Sequence, residues 1–136
     1  MRLVHTDLKP ENILLCNGDY TMMPFAPNPA VQTKILKSTK ICLIDFGSAT
    51  FEDEYHSHVV STRHYRAPEI ILGLGWSYPC DMWSIGCILI ELLTGTALFH
   101  TREDLEHLAM MERVIGETPQ SIRVRLDPST YYKFYH

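Results

Sequence analysis

The sequence predicts a mainly α fold with short β strands, on three observations. Residues 79–95, PCDMWSIGCILIELLTG, form a long, almost continuously apolar stretch of helical length. Residues 101–115 carry a second apolar stripe, on Leu105, Leu108, Ala109 and Ile115. The other apolar runs, Ile13-Leu14-Leu15 and residues 40–44 (KICLI), reach only strand length.

In chain order, residues 1–15 hold a polar, charged turn followed by the apolar run Ile13-Leu14-Leu15. Residues 17–39 contain Asn17-Gly18, Pro24, Pro27 and Pro29 without sustained periodicity, so they are expected to form an insertion loop. Residues 40–44 read as a short buried strand, and residues 45–69 as polar and irregular. In the helix over 79–95, Pro79 suits the start, Asp81 can cap it and Gly95 can stop it. Its apolar residues lie on nearly every side, which predicts a buried central helix. The helix over 101–115 opens on Thr101 and Asp104, an approximate capping box, and ends at Gly116 and Pro119. The closing YYKFYH is aromatic and reads as a cut through a domain.

Hydrophobic residues make up 46% of the 136 and charged residues 21%, which predicts a folded chain and not a disordered one. The formal net charge of −4 argues against direct nucleic-acid binding and is compatible with a basic protein partner. Cys16, Cys42, Cys80 and Cys87 show no C-x-x-C spacing and read as reduced thiols. No apolar run approaches the roughly 20 residues of a membrane helix, so no membrane partner is expected.

The chemistry concentrates in three segments. Phosphoryl transfer to a hydroxyl needs a carboxylate to orient that hydroxyl and accept its proton. It also needs oxygen ligands for Mg²⁺ and cations on the moving group. In His5-Thr6-Asp7-Leu8-Lys9-Pro10-Glu11-Asn12, Asp7 can be the carboxylate, Lys9 can reach the γ-phosphate and Asn12 can hold a magnesium ion. Asp45-Phe46-Gly47 follows the predicted strand; Asp45 can ligate Mg²⁺, and Phe46 can pack inward to set its position. Ala67-Pro68-Glu69 closes the segment opened by Asp45.

The order D-x-K-x-x-N, D-F-G, A-P-E resembles the protein-kinase signature set. The string Leu108-Ala109-Met110-Met111-Glu112-Arg113 resembles the signature of the LAMMER (CLK) kinases, and the blocks STRHYRAPE (61–69) and DMWSIGC (81–87) agree with it. The resemblance implies a partial protein-kinase C-terminal lobe, with a catalytic loop at 5–12, an activation segment at 45–69 and a LAMMER helix at 101–115. It implies ATP and Mg²⁺, catalytic roles for Asp7, Lys9 and Thr62, and nucleotide-binding roles for Lys9, Glu11, Asn12, Leu14 and Asp45. Asn12 and Asp45 would be the metal ligands. It gives Thr62 a hydroxyl bonded to the catalytic aspartate and lysine, and gives Leu14 the floor of the adenine pocket. Asp81 would reach the backbone around His5. Glu69 would pair with an arginine later than residue 136.

The implied activity is transfer to Ser or Thr of protein substrates, basic Ser/Arg-rich splicing factors, with dual specificity toward Tyr open. A nuclear location is implied, a cytoplasmic one besides it is open, and the oligomeric state is unassigned. No G-x-G-x-x-G appears in the 136 residues, so the N-terminal lobe is expected to be absent and the fragment alone inactive. The alternative is a non-catalytic interaction module that competes with the full kinase for substrates. Thr6 departs from the arginine that many kinases place before the catalytic aspartate, which argues against switching by loop phosphorylation through that residue. Tyr55-His56-Ser57-His58 raises a zinc site but lacks a third ligand beside it. Glu52-Asp53-Glu54 is either a solvated face or a hold on Arg-rich substrate.

Overall fold

A computed structural model describes residues 2–135, and these divide into two compact units. The first comprises the chain up to Lys9 and from Asp45 onward; the second is Pro10–Ile44.

The first unit is mainly helical. β1 (Leu3–Val4) pairs antiparallel with β6 (Thr50–Phe51), Val4 opposite Thr50. Between them in sequence lies a single turn of 3₁₀ helix, Phe46–Ser48, and a second one occupies Arg63–Tyr65. The helices are α1 (Pro68–Ile71), α2 (Pro79–Thr94), α3 (Asp104–Ile115), α4 (Gln120–Arg123) and α5 (Pro128–Tyr135). Val4, Ala67, Ile70, Trp76 and Cys80 form the core, with Val60 and Trp83 packed against it. Burial pushes the thiols of Cys80 and Cys87 up, to about 12 and about 11, which keeps both protonated. All four cysteines are free.

α2 starts with Pro79 at its first position, where a missing N–H costs nothing. It stops at Gly95, whose φ of 80° is open to glycine and whose N–H returns to Glu91 O at 2.7 Å. Two expectations for this helix are corrected. Asp81 is not its cap: the side chain leaves the helix altogether, and the N-cap position is Tyr78 with no side-chain bond. Nor is the helix buried on every side. Cys80, Ser84, Cys87 and Ile88 are buried, whereas Met82, Leu89, Leu92 and Leu93 stand exposed, because only one face meets the turn at Arg63–Tyr65 and the core around Ala67 and Ile70.

α3 begins at Asp104, three residues later than the reading of Thr101 and Asp104 as a capping box places it. Thr101 accepts the Glu103 N–H and donates its hydroxyl to Glu106, so it closes the preceding turn instead of capping the helix. The terminal YYKFYH lies in α5 up to Tyr135. Asp127 nucleates that helix by accepting bonds from Ser129 N–H at 3.0 Å and Thr130 N–H at 3.2 Å. Those bonds hold its carboxyl well below the usual range. Among the described residues no helix is long and apolar enough to cross a membrane.

The second unit is built from two ribbons. β2 (Ile13–Leu15) pairs with β5 (Ile41–Leu43), Leu14 opposite Cys42. β3 (Tyr20–Phe25) pairs with β4 (Asn28–Leu36) from Tyr20↔Leu36 to Phe25↔Asn28, with a register shift at Pro24/Phe25. The expected loop at 17–39 is therefore a β hairpin. Its prolines mislead: Pro24 sits at the register shift and Pro27 in the turn, both places where a strand tolerates a missing N–H. The strand expected at 40–44 forms, but it is exposed, since a two-stranded ribbon offers a single neighbour.

Candidate active site

Asp7 lies in the turn that follows β1, and that turn is fixed from α2. Asp81 Oδ2 accepts the His5 N–H at 2.7 Å and Oδ1 the Thr6 N–H at 2.9 Å. One carboxylate thus holds two consecutive amides of the turn, the role expected for it from the resemblance, and α2 becomes the anchor of the site. A hydrogen bond to a charged group contributes about 1.5–3 kcal/mol.

The structure brings Asp7, Lys9 and Thr62 together. Lys9 Nζ donates to Asp7 Oδ2 at 2.8 Å and to Thr62 Oγ1 at 3.3 Å. Thr62 donates twice to Asp7 Oδ1, through its hydroxyl at 2.7 Å and its N–H at 3.1 Å. Burial pulls the Asp7 carboxyl up, but the bonds from Lys9 and Thr62 outweigh it and hold the group below its ordinary value. Asp7 is therefore ionised and oriented at neutral pH, as a proton acceptor must be.

Asp45 opens the turn Phe46–Ser48 in the left-handed region, φ 63°, with its carboxylate exposed. Phe46 was expected to pack inward; it is half exposed, its ring 4.9 Å from that of His5. Glu11, Asn12 and Leu14 lie in the other unit. Asn12 ends the 3₁₀ turn Pro10–Asn12, is buried, and accepts the Ile44 N–H at 3.0 Å. Glu11 is exposed, and Leu14 stands in β2, half exposed.

Magnesium prefers hard oxygen donors and is commonly held by one or two protein ligands together with phosphate oxygens and water. The Asp45 carboxylate in the first unit and the Asn12 side-chain amide in the second are each donors of that class, so each by its chemistry suits the ion.

Several contacts around the site had no signal in the sequence. Thr6 donates its hydroxyl to Ser48 O at 2.8 Å, and Ser61 Oγ donates to Thr6 O at 2.7 Å. Arg66 grips the carbonyls of Val60 and Ser61 through Nε and a terminal nitrogen, at 2.9 and 2.8 Å. Tyr65 donates to Glu91 at 2.6 Å. Such bonds depend on which segments the fold brings together, and short hydroxyl side chains carry no spacing pattern that reveals this.

The remaining candidates are placed as follows. His56 stacks on Trp76 and directs its ring nitrogens to the carbonyls of Trp76 and Phe51, at 3.2 and 3.4 Å. Among the described residues no group of three metal-ligating His, Cys, Asp or Glu side chains occurs. Glu52 accepts a bond from the Tyr78 hydroxyl at 2.9 Å, and Glu54 accepts the Phe51 N–H at 3.1 Å. Glu69 is half-buried, and burial raises its carboxyl above the ordinary value. It lines a cavity of about 340 Å³ with Leu72, Trp83, Leu108, Met111 and Ile122.

The protein kinase domain family matches residues 1–132. The chain is 70% identical over 115 residues to the dual specificity protein kinase lkh1 of Schizosaccharomyces pombe, covering 84% of this chain and 16% of that protein. It is 57% identical to the serine/threonine-protein kinase AFC2 of Arabidopsis thaliana, over 93% of this chain and 31% of that protein. It is 53% identical to the human dual specificity protein kinase CLK4, over 96% of this chain and 27% of that protein. A solved kinase-domain crystal structure superimposes with a TM-score of 0.81 at 49% identity, covering 91% of this chain and 38% of that one. The chain thus spans between about a sixth and a third of these curated relatives. With the anchored aspartate of the catalytic loop, the D-F-G turn and these likenesses in agreement, the chain belongs to the protein kinase family, in its LAMMER (CLK) branch.

Proposed function

We propose that the full-length protein carrying this segment transfers the γ-phosphoryl group of ATP to Ser and Thr hydroxyls of protein substrates. Tyr is included as a further acceptor, since lkh1 and CLK4 are named as dual specificity kinases. The observation that carries the reading is the anchoring of Asp7 by Thr62 and Lys9. Asp7, held ionised, accepts a hydrogen bond from the substrate hydroxyl, aligns its oxygen and takes its proton as the new O–P bond forms. Lys9, 2.8 Å from that carboxylate, sets a positive charge beside the transferring group. Asp45, and separately Asn12, carry oxygen donors of the kind that would hold magnesium, which when bound would neutralise phosphate charge.

The substrates in this reading are basic, Ser/Arg-rich proteins, and the location nuclear. Supporting the substrate class are the net charge of −4 and the exposed run Glu52-Asp53-Glu54 within the activation segment, whereas the location rests on the family resemblance alone. The test is a peptide array probed with the full-length protein. Arg-flanked serines are expected to be phosphorylated best, and neutralising residues 52–54 to weaken that preference. A preference for acidic flanks contradicts the substrate class, and absence of any transfer favours the interaction module.

The 136 residues expressed by themselves are expected to be silent, because they hold one side of an ATP clamp whose positioning supplies most of the catalysis. Calorimetry with ATP and Mg²⁺ decides this: micromolar affinity, or turnover near the ~1 per second of kinases, overturns it.

A further inference from the structure

Thr6 is a β-branched residue in the left-handed region, φ 68°, where side chains of that shape are disfavoured. It is 1% exposed, and its polar groups engage three different segments. Its N–H goes to Asp81 of α2, its hydroxyl donates to Ser48 O, and its carbonyl accepts the Ser61 hydroxyl. Ser61 is itself left-handed, φ 69°, and so is Asp45, φ 63°. The non-glycine residues with positive φ among those described are these three: one beside Asp7, one opening the activation segment and one within it, just before Thr62. Such conformations persist where the surroundings over-determine them, and they cluster at functional sites.

The two hydroxyl bonds join these strained points. Ser48 closes the turn that Asp45 opens, so the Thr6 hydroxyl fixes the far end of that turn. Ser61 precedes Thr62, whose N–H and hydroxyl both hold Asp7. Bonded to the Thr6 carbonyl, Ser61 ties the part of the segment before Thr62 to the residue next to Asp7. Each of the two hydroxyls donates to one main-chain carbonyl of the other segment, so the latch consists of two neutral hydrogen bonds.

We propose that Thr6 is a positioning residue: with Ser61 it forms a double hydroxyl latch that ties the activation segment, at Ser48 and at Ser61, to the loop that carries Asp7. The proposal rests on the reading of Asp7 and Asp45 as parts of the phosphoryl-transfer centre.

The test compares Thr6→Val, Thr6→Ser and Ser61→Ala in the full-length protein by steady-state kinetics and amide hydrogen exchange. Valine keeps the shape and removes the donor. Its kcat is expected to fall roughly ten- to hundredfold, the scale of sub-ångström to ångström misplacement of reacting groups. KM for the peptide is expected to stay within about twofold, since the latch acts on alignment and not on peptide contacts. The Ala49 and Thr62 amides are expected to exchange faster. Thr6→Ser keeps the donor and restores most of the rate. Ser61→Ala lowers kcat in the same direction and adds little on top of Thr6→Val, because the two act as one unit.

A Thr6→Val protein with wild-type kcat and unchanged exchange overturns the latch. Where Thr6→Val fails to fold, Ser61→Ala reads the same latch from its other side: a wild-type rate and exchange there overturn it. A wild-type protein with no transfer refutes the kinase reading instead, and exchange still judges whether the hydroxyls order the segment.

Discussion

The cluster around Asp7 and the hairpin Tyr20–Leu36 are held in opposite ways. Around Asp7, side chains bind across great sequence distances: Asp81 to His5, Thr62 to Asp7, Thr6 to Ser48. In the hairpin the main chain does the work, as an antiparallel ladder of β3 and β4, while Tyr20, Met22, Met23, Phe25, Val31 and Ile35 remain exposed. A site that must fix a carboxylate to a fraction of an ångström needs converging side chains. A ribbon needs only strands that accept each other, so its side chains are free to vary.

Three substitutions sharpen that contrast, taken from the largest effect down. Asp81→Ala leaves the His5 and Thr6 amides without their acceptor. Hydrogen bonds to charged groups are worth about 1.5–3 kcal/mol each, so about 3 kcal/mol of stability is expected to go, read from the urea midpoint of the full-length protein. A loss below about 1 kcal/mol would mean that α2 does not anchor the turn.

His107 is fully buried in α3, and neither ring nitrogen has a protein partner among the described residues. Burial, reinforced by the positive charges of Arg63 and Arg66, lowers its pKa from 6.5 to about 4. As pH falls below 6.5 the unfolded chain takes up a proton that the folded chain refuses until about 4. Stability is therefore unaffected by this group above 6.5 and declines across that window, by an amount on the order of 1–3 kcal/mol. Denaturation curves at several pH values are expected to show this slope, and His107→Leu to flatten it. An unchanged slope in His107→Leu assigns the acid sensitivity to other groups.

In the hairpin, Met22→Thr exchanges one exposed strand former for another and is expected to change stability by less than about 0.5 kcal/mol, as surface substitutions generally do. A loss beyond about 1 kcal/mol would show that the exposed side chains bear on the fold after all.

What the sequence revealed follows the same division. Asp7 and Lys9 were legible because phosphoryl transfer needs a carboxylate and a cation close together, Thr62 only through the kinase resemblance, and the structure brings the three together. The helix ending at Gly95 was legible from its punctuation. The hairpin was not: two of its prolines occupy the register shift and the turn, where they signal a loop yet permit a ladder. Asp81 illustrates a choice that local pattern cannot make, since an acidic residue in a first helical turn suits either a cap or a distant partner. The exposed side of α2 shows the limit of reading burial from hydrophobicity, because periodicity reports what a face prefers and not what meets it. The hydroxyl bonds of Thr6 and Ser61 were illegible for want of any pattern.

In the proposed reaction Asp7 is the proton acceptor, anchored by Lys9 and Thr62 and distinct from the groups that would bind the nucleotide. Single-turnover transfer to an Arg/Ser-rich peptide by the full-length Asp7→Asn protein at saturating ATP and Mg²⁺ tests it most directly. Asparagine keeps the shape and loses the base. The rate is predicted to fall by 10²–10⁴-fold, the usual contribution of a general base, while ATP affinity stays close to wild type. A rate within about tenfold of wild type would contradict the assignment.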